Sequence, residues 1–125
     1  MRSILLGITC LGLMASASLA DGDAAKGEKI SKMCAACHAF TGKTNKVGPY
    51  LTGVAGRPVA TAEGYAYSEA MKAYGATGAI WDDATLDKYL ENPKAAVPAT
   101  KMSFAGVKKP DQRADLIAFL KTKLE

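Results

Sequence analysis

Apolar residues in this chain come in separate patches, and each patch has its own character. The first, Ile4 to Leu19, is a mostly apolar run without a charge, preceded by Arg2 and closed by Ser18-Leu19-Ala20. A positive start, an apolar middle and a small-x-small end are the parts of a secretory signal, so residues 1–20 are expected to be cleaved after Ala20. The run is short for a bilayer and contains Gly7 and Gly12, which argues against a membrane anchor. Cys10 follows Thr9, not the small residue a lipoprotein site needs, and is expected to leave with the signal.

Beyond the cut, Asp21 or Asp23 can cap a helix running through Ala24, Lys26, Glu28 and Ile30 toward Cys34. Phe40 to Tyr67 shows no period and is punctuated by Gly42, Gly48-Pro49, Gly53, Gly56, Pro58 and Gly64, which predicts a long irregular loop. Ser68 to Tyr74 suits a short helix. Asp82 or Asp83 caps a clearer one, with Leu86, Tyr89 and Leu90 on one face before Asn92-Pro93 stops it. Small residues, Gly and Pro dominate from Pro93 to Gly106. Pro110-Asp111-Gln112 then opens a last helix whose Leu116, Ile117, Phe119, Leu120 and Leu124 form an apolar stripe. No segment alternates as a strand. The pattern predicts an all-α domain over residues 21–125, with helices near 23–36, 68–74, 83–91 and 110–123.

A loop as long as 40–67 needs something to offset its ordering entropy, and 105 residues with few aromatics offer a modest core. The whole chain carries a formal charge of +4, and the lysines bunch: Lys43 and Lys46 in one loop, Lys94, Lys101, Lys108 and Lys109 around another. That clustering fits a solvated surface or a positive rim for acidic partners. No nucleic-acid motif accompanies the charge.

Cys34-Ala35-Ala36-Cys37-His38 carries the chemistry. Two cysteines three apart can each add across one vinyl group of a haem, and a histidine directly after the second can bring an imidazole nitrogen to the iron. A thioredoxin-like CxxC wants a βαβ setting, which is missing; a structural zinc wants four N or S ligands, and the chain after the cut has only Cys34, Cys37 and His38. A bare disulfide leaves His38 unexplained. A covalently held haem also supplies the missing apolar body for the loop to wrap. For the sixth iron position the candidates are Met33, Met71 and Met102. Met33 adjoins the first cysteine, and Met71 sits in a helical pattern where methionine packs as core. Met102 lies 64 residues after His38 in a loop able to cross the far face.

With these residues, Gly48-Pro49, Trp81, Tyr89-Leu90-Glu91-Asn92-Pro93 and Thr100-Lys101-Met102 in view, the chain resembles the class I c-type cytochromes, in particular their mitochondrial-like short bacterial members. The agreement runs in order from Gly27 to Leu120. The resemblance implies a small cytochrome c fold around one haem c, with thioethers at Cys34 and Cys37, His38 and Met102 as axial metal ligands, and the Pro49 carbonyl on the other ring nitrogen of His38. It implies further that Arg57, Tyr67 and Trp81 serve a haem propionate, that Tyr89 and Thr100 join a polar network near the methionine, and that Phe104 lies beside the exposed haem edge. Two positions depart from the family pattern: Ser31 stands where an aromatic usually contacts the C-terminal helix, and Met71 where an Asn is common. Gly27 should still let the first helix approach Leu116 and Phe119 closely.

The implied function is that of a soluble, non-enzymatic, monomeric electron carrier in the periplasm. Its implied partners are membrane or periplasmic redox complexes with acidic docking faces, such as a cytochrome bc-type donor and an oxidase, reductase or reaction-centre acceptor. Neither nucleic acid nor stable membrane insertion is expected. The alternative is a haem protein with a displaceable sixth ligand, active in small-gas binding or peroxidase-like catalysis.

Overall fold

Asp23, Ser68, Asp82 and Asn92 each offer a side-chain oxygen to backbone N–H groups two or three residues on, and a helix starts after each of them. The computed structural model describes residues 22–125, so the segment read as an export signal lies outside the described residues. The elements are α1 (Ala24–Ser31), α2 (Glu69–Ala76), α3 (Asp83–Glu91), α4 (Pro93–Ala96) and α5 (Pro110–Thr122). Among the described residues there is no strand, only an isolated antiparallel bridge between Pro58 and Ile80. No helix among them is long and apolar enough to cross a membrane.

Three boundaries differ from the sequence-based expectation. Regular helix in α1 ends at Ser31, and the chain continues to Cys37 as successive turns, not as helix to residue 36. Helix α2 runs two residues further, to Ala76. Asn92-Pro93 ends α3 as expected but also starts α4, because proline at a first helical turn gives up an N–H that has no partner there, and Asn92 caps Ala95.

The core gathers Trp81, Leu86 and Tyr89 from the α3 region, Val97 and Val107 from the segment that follows, and Leu116, Ile117, Phe119 and Leu120 from α5. Leu116 is 2% exposed, and burying a side chain of that size contributes about 1.5–3 kcal/mol. The N- and C-terminal helices pack together. Ser31, in place of an aromatic, is buried and donates its hydroxyl to the Glu28 carbonyl at 2.6 Å. Phe40 makes an aromatic contact to α5, edge-on to Phe119 with centroids 5.4 Å apart.

The long segment from Phe40 to Tyr67 has no helix or strand, yet it is fastened by bonds of its own. Leu51 N–H reaches the Ala39 carbonyl, Gly53 that of Lys123 beyond α5, and Gly56 that of Trp81. Tyr50 and Tyr67 accept on their hydroxyls from Glu63 and Ala62 N–H, and Tyr65 donates to the Val47 carbonyl. These bonds satisfy backbone groups that a sheet or helix would otherwise serve.

Candidate functional site

The turns after α1 bring the attachment residues together. Cys34 N–H and Ala35 N–H both donate to the Ser31 carbonyl, and Cys37 N–H and His38 N–H both donate to that of Cys34, at 2.9 to 3.1 Å. Cys34 and Cys37 are not joined in a disulfide; Cys34 is half-buried and Cys37 exposed. Burial, and secondarily the neighbouring Cys37, push the Cys34 thiol above its ordinary pKa.

His38 Nδ1 donates to the Pro49 carbonyl at 2.7 Å. A carbonyl can only accept, so Nδ1 must carry the proton and the lone pair resides on Nε2. Burial lowers the His38 pKa; the bond to Pro49 acts the other way, and the positive charge of Lys46 lowers it again. A neutral imidazole with one defined tautomer is what metal ligation requires. The ring lies directly on Gly48, whose N–H in turn donates to Cys37 at 2.7 Å, and a Cβ at Gly48 would run into the imidazole. Lys46 braces the same turn from outside by donating to the Ala35 carbonyl at 2.8 Å.

Of the other residues singled out from sequence, Arg57, Trp81, Tyr89, Thr100 and Met102 form a connected path, whereas Tyr67 and Phe104 lie off it. Arg57 donates to the Tyr50 and Thr52 carbonyls at 3.2 Å and lies over the Tyr50 ring. The Arg57 carbonyl accepts from Trp81 N–H at 2.9 Å. The Trp81 ring is buried between Tyr74 and Tyr89, with centroids 6.1 and 4.9 Å away. Burial raises the Tyr89 pKa, and a hydrogen bond with the Thr100 side chain partly offsets it. Thr100 Oγ1 accepts from Met102 N–H at 3.3 Å. Tyr67, whose pKa burial also raises, feels the Arg57 charge. Met102, Met71 and Phe104 are partly buried and pack against the core, whereas Met33 is 55% exposed.

Two observations bear on a bound haem. Arg57 Nε is a buried donor without a hydrogen-bond partner, as is the Thr52 hydroxyl, and a propionate carboxylate is the chemistry that would satisfy the guanidinium. The other is the donor set: two cysteine sulfurs outside any disulfide, next in the chain to a neutral imidazole. Among the described residues, no group of three or more His, Cys, Asp or Glu side chains is placed to hold a metal ion by itself, which leaves a zinc site without support. The residues present therefore fit the prosthetic group.

Sequence reasoning passed over Tyr50, Thr52, Tyr74 and Arg113. Of these only Arg113 left a signal: its spacing from Leu116, Ile117 and Leu120 sets a charge on the apolar stripe of α5.

The cytochrome c family pattern matches residues 24–123. A cytochrome c2 of Rhodomicrobium vannielii is 50% identical over 126 residues, covering 98% of each chain. Cytochrome c of the alga Chlamydomonas reinhardtii is 54% identical over 80% of this chain and 88% of its own. In structure, the chain is similar to cytochrome cH from Methylobacterium extorquens, with a TM-score of 0.75 and 48% identity over 82% of this chain and all of that one. Attachment turn, helical fold and likeness over nearly the whole length agree: the chain belongs to the cytochrome c family, with one haem c bound covalently through Cys34 and Cys37.

Proposed function

We propose that this electron carrier works as an exported, periplasmic shuttle with His38 and Met102 as the axial ligands of its haem. The observation that carries the reading is the His38 Nδ1 bond to Pro49, which leaves Nε2 of the only histidine in the chain as its free lone pair, directly after the turn that bears Cys34 and Cys37. When bound, the haem supplies a one-electron Fe(II)/Fe(III) couple. The chain's own residues hold, shield and tune it. Gly48 and Pro49 fix the ring of His38; Arg57, Tyr67 and Trp81 serve a propionate; Tyr89 and Thr100 hold the backbone of Met102 from the side of the core.

A thioether from Met102 would favour the reduced state and fill the remaining iron position, so the chain would pass electrons on without binding a substrate. Lys94, Lys101 and Lys109 are exposed around the loop that bears Met102 and Phe104, and Lys43 is exposed on another loop. Such a face suits brief, salt-sensitive encounters with acidic surfaces on larger respiratory or photosynthetic complexes. The Ile4–Leu19 run and Ser18-Leu19-Ala20 support export with cleavage after Ala20.

The test is a visible spectrum of the oxidised and reduced protein, scanned into the red for the weak band of methionine sulfur on ferric iron, and repeated in Met102→Ala. Presence of the band in the parent and its loss in the variant support the carrier. Its absence from the parent would point to an open sixth site and a ligand-binding or peroxidase-like role.

A further inference from the structure

Arg113 is the one buried charge in the core region of α5, at 6% exposure. Its guanidinium reaches three ways. Nε donates to Asp87 Oδ1 on α3 at 2.7 Å, and Nη1 donates to the Val107 and Lys108 carbonyls at 3.0 Å each. Those two carbonyls close the loop that carries Met102. The same end of the loop is tied to α3 twice more, by Val107 N–H on the Leu90 carbonyl and Lys108 Nζ on that of Glu91, both at 2.7 Å.

At the other end, Thr100 N–H returns to the Val97 carbonyl at 3.1 Å, next to Ala99 in the left-handed region at φ 65°. Between the two anchors the loop has few hydrogen bonds, and the side chains of Met102 and Phe104 are held there only by packing against the core. Met102 N–H has its 3.3 Å bond to Thr100, and residues 103–106 enter none of the backbone–backbone hydrogen bonds among the described residues. The position of the Met102 side chain therefore depends on where the two anchors stand.

We infer that Arg113, held by Asp87, is a positioning residue for the distal methionine: it pins the C-terminal anchor of the Met102 loop, and without it the loop opens and admits a small neutral ligand to the iron. The inference rests on Met102 being the distal ligand. Lysine cannot replace the arginine, because the function needs one planar group donating to a carboxylate and two carbonyls at fixed angles. The strength of the anchor comes from burial: charged donors on carbonyls away from water are stronger than neutral ones.

A built-in control exists. Lys121 and Asp83 join the same two helices at 2.6 Å without touching the loop. Haem-loaded ferric parent, Arg113→Gln, Asp87→Asn and Asp83→Asn are titrated with imidazole while the red methionine–iron band is followed, and each is unfolded in guanidinium in parallel. Imidazole affinity should rise about ten- to a hundredfold in Arg113→Gln, by a smaller factor in Asp87→Asn, and should match the parent in Asp83→Asn.

Parent-like affinity in both Arg113→Gln and Asp87→Asn would overturn the anchor while leaving the ligand assignment intact. So would equal tightening in Asp83→Asn, since that would reflect general loosening of the helix pair. A parent without the red band would overturn the Met102 assignment and the anchor with it. Should Arg113→Gln fail to fold, Asp87→Asn, whose carboxylate is half-exposed, decides the question against Asp83→Asn.

Discussion

Gly27 of α1 rests on the Asp115 carbonyl of α5, so that a Cβ at Gly27 would overlap that carbonyl and stand 2.8 Å from Phe119 Cβ. The two helices meet backbone to backbone at this point, and Asp115 Oδ1 also accepts the Asp23 N–H at 2.7 Å. Gly27→Ala should therefore destabilise the fold although alanine is the better helix former. The gain in helix propensity is about 1 kcal/mol, while overpacking costs about 1–3 kcal/mol and falls here on unyielding backbone. A guanidinium unfolding curve should show a lower midpoint with a net loss of about 1–2 kcal/mol; an unchanged or higher midpoint would mean the helices can part at no cost.

Gly48→Ala tests the proximal side. The added methyl would strike the His38 ring, and the ring cannot retreat without losing the Pro49 bond. Displacing a half-buried ring against backbone costs about 1–3 kcal/mol. Expected are a lower yield of haem-loaded protein and a shifted reduction potential, read by the visible spectrum and by redox titration. Full loading at an unchanged potential would show that the ring has room to move.

How much of this was legible beforehand depends on how local the signal is. Cys34, Cys37 and His38 are contiguous, so their chemistry could be read directly, and the turn that gathers them adds only geometry. The caps at Asp23 and Asp82 were equally local. Helix α4 was hidden because Pro93 reads as a stop for α3, while its second role as a first helical residue depends on Asn92 turning to cap it. The bonds of Tyr50, Tyr65 and Tyr67 that fasten the long loop could not be read, since they join residues by spatial closeness and obey no period. The edge-on contact of Phe40 with Phe119 of α5 is of the same kind.

Among the described residues, two alanines bear left-handed backbone, Ala60 at φ 63° and Ala99 at φ 65°. An L residue pays roughly 1–2 kcal/mol there, which glycine avoids at some entropic cost in the unfolded chain. Ala60→Gly and Ala99→Gly should each raise unfolding stability by about 0.5–1 kcal/mol. Only Ala99→Gly, beside Thr100 and Met102, should also alter how readily imidazole displaces the methionine. Equal effects of the two on imidazole binding would sever the link between the strained residue and the ligand loop.

Acid should act on α3 through Asp82. Its carboxylate accepts the Thr85 backbone N–H at 2.8 Å, and hydrogen bonds from the Thr85 side chain and backbone hold it below the ordinary aspartate value of 3.8. A carboxyl depressed in the folded state binds a proton more readily when unfolded, so its stabilising effect is complete above the unfolded value and fades as pH falls through the lower folded one. Asparagine keeps an acceptor at the cap but cannot titrate. The difference in unfolding midpoint between the parent and Asp82→Asn should thus be flat above about pH 5 and move in favour of Asp82→Asn below about pH 4. Other carboxylates titrate in the same range in both proteins and cancel in the difference. A difference that stays constant down to the acid transition would show that the Thr85 bonds hold the protonated carboxyl as well as the charged one.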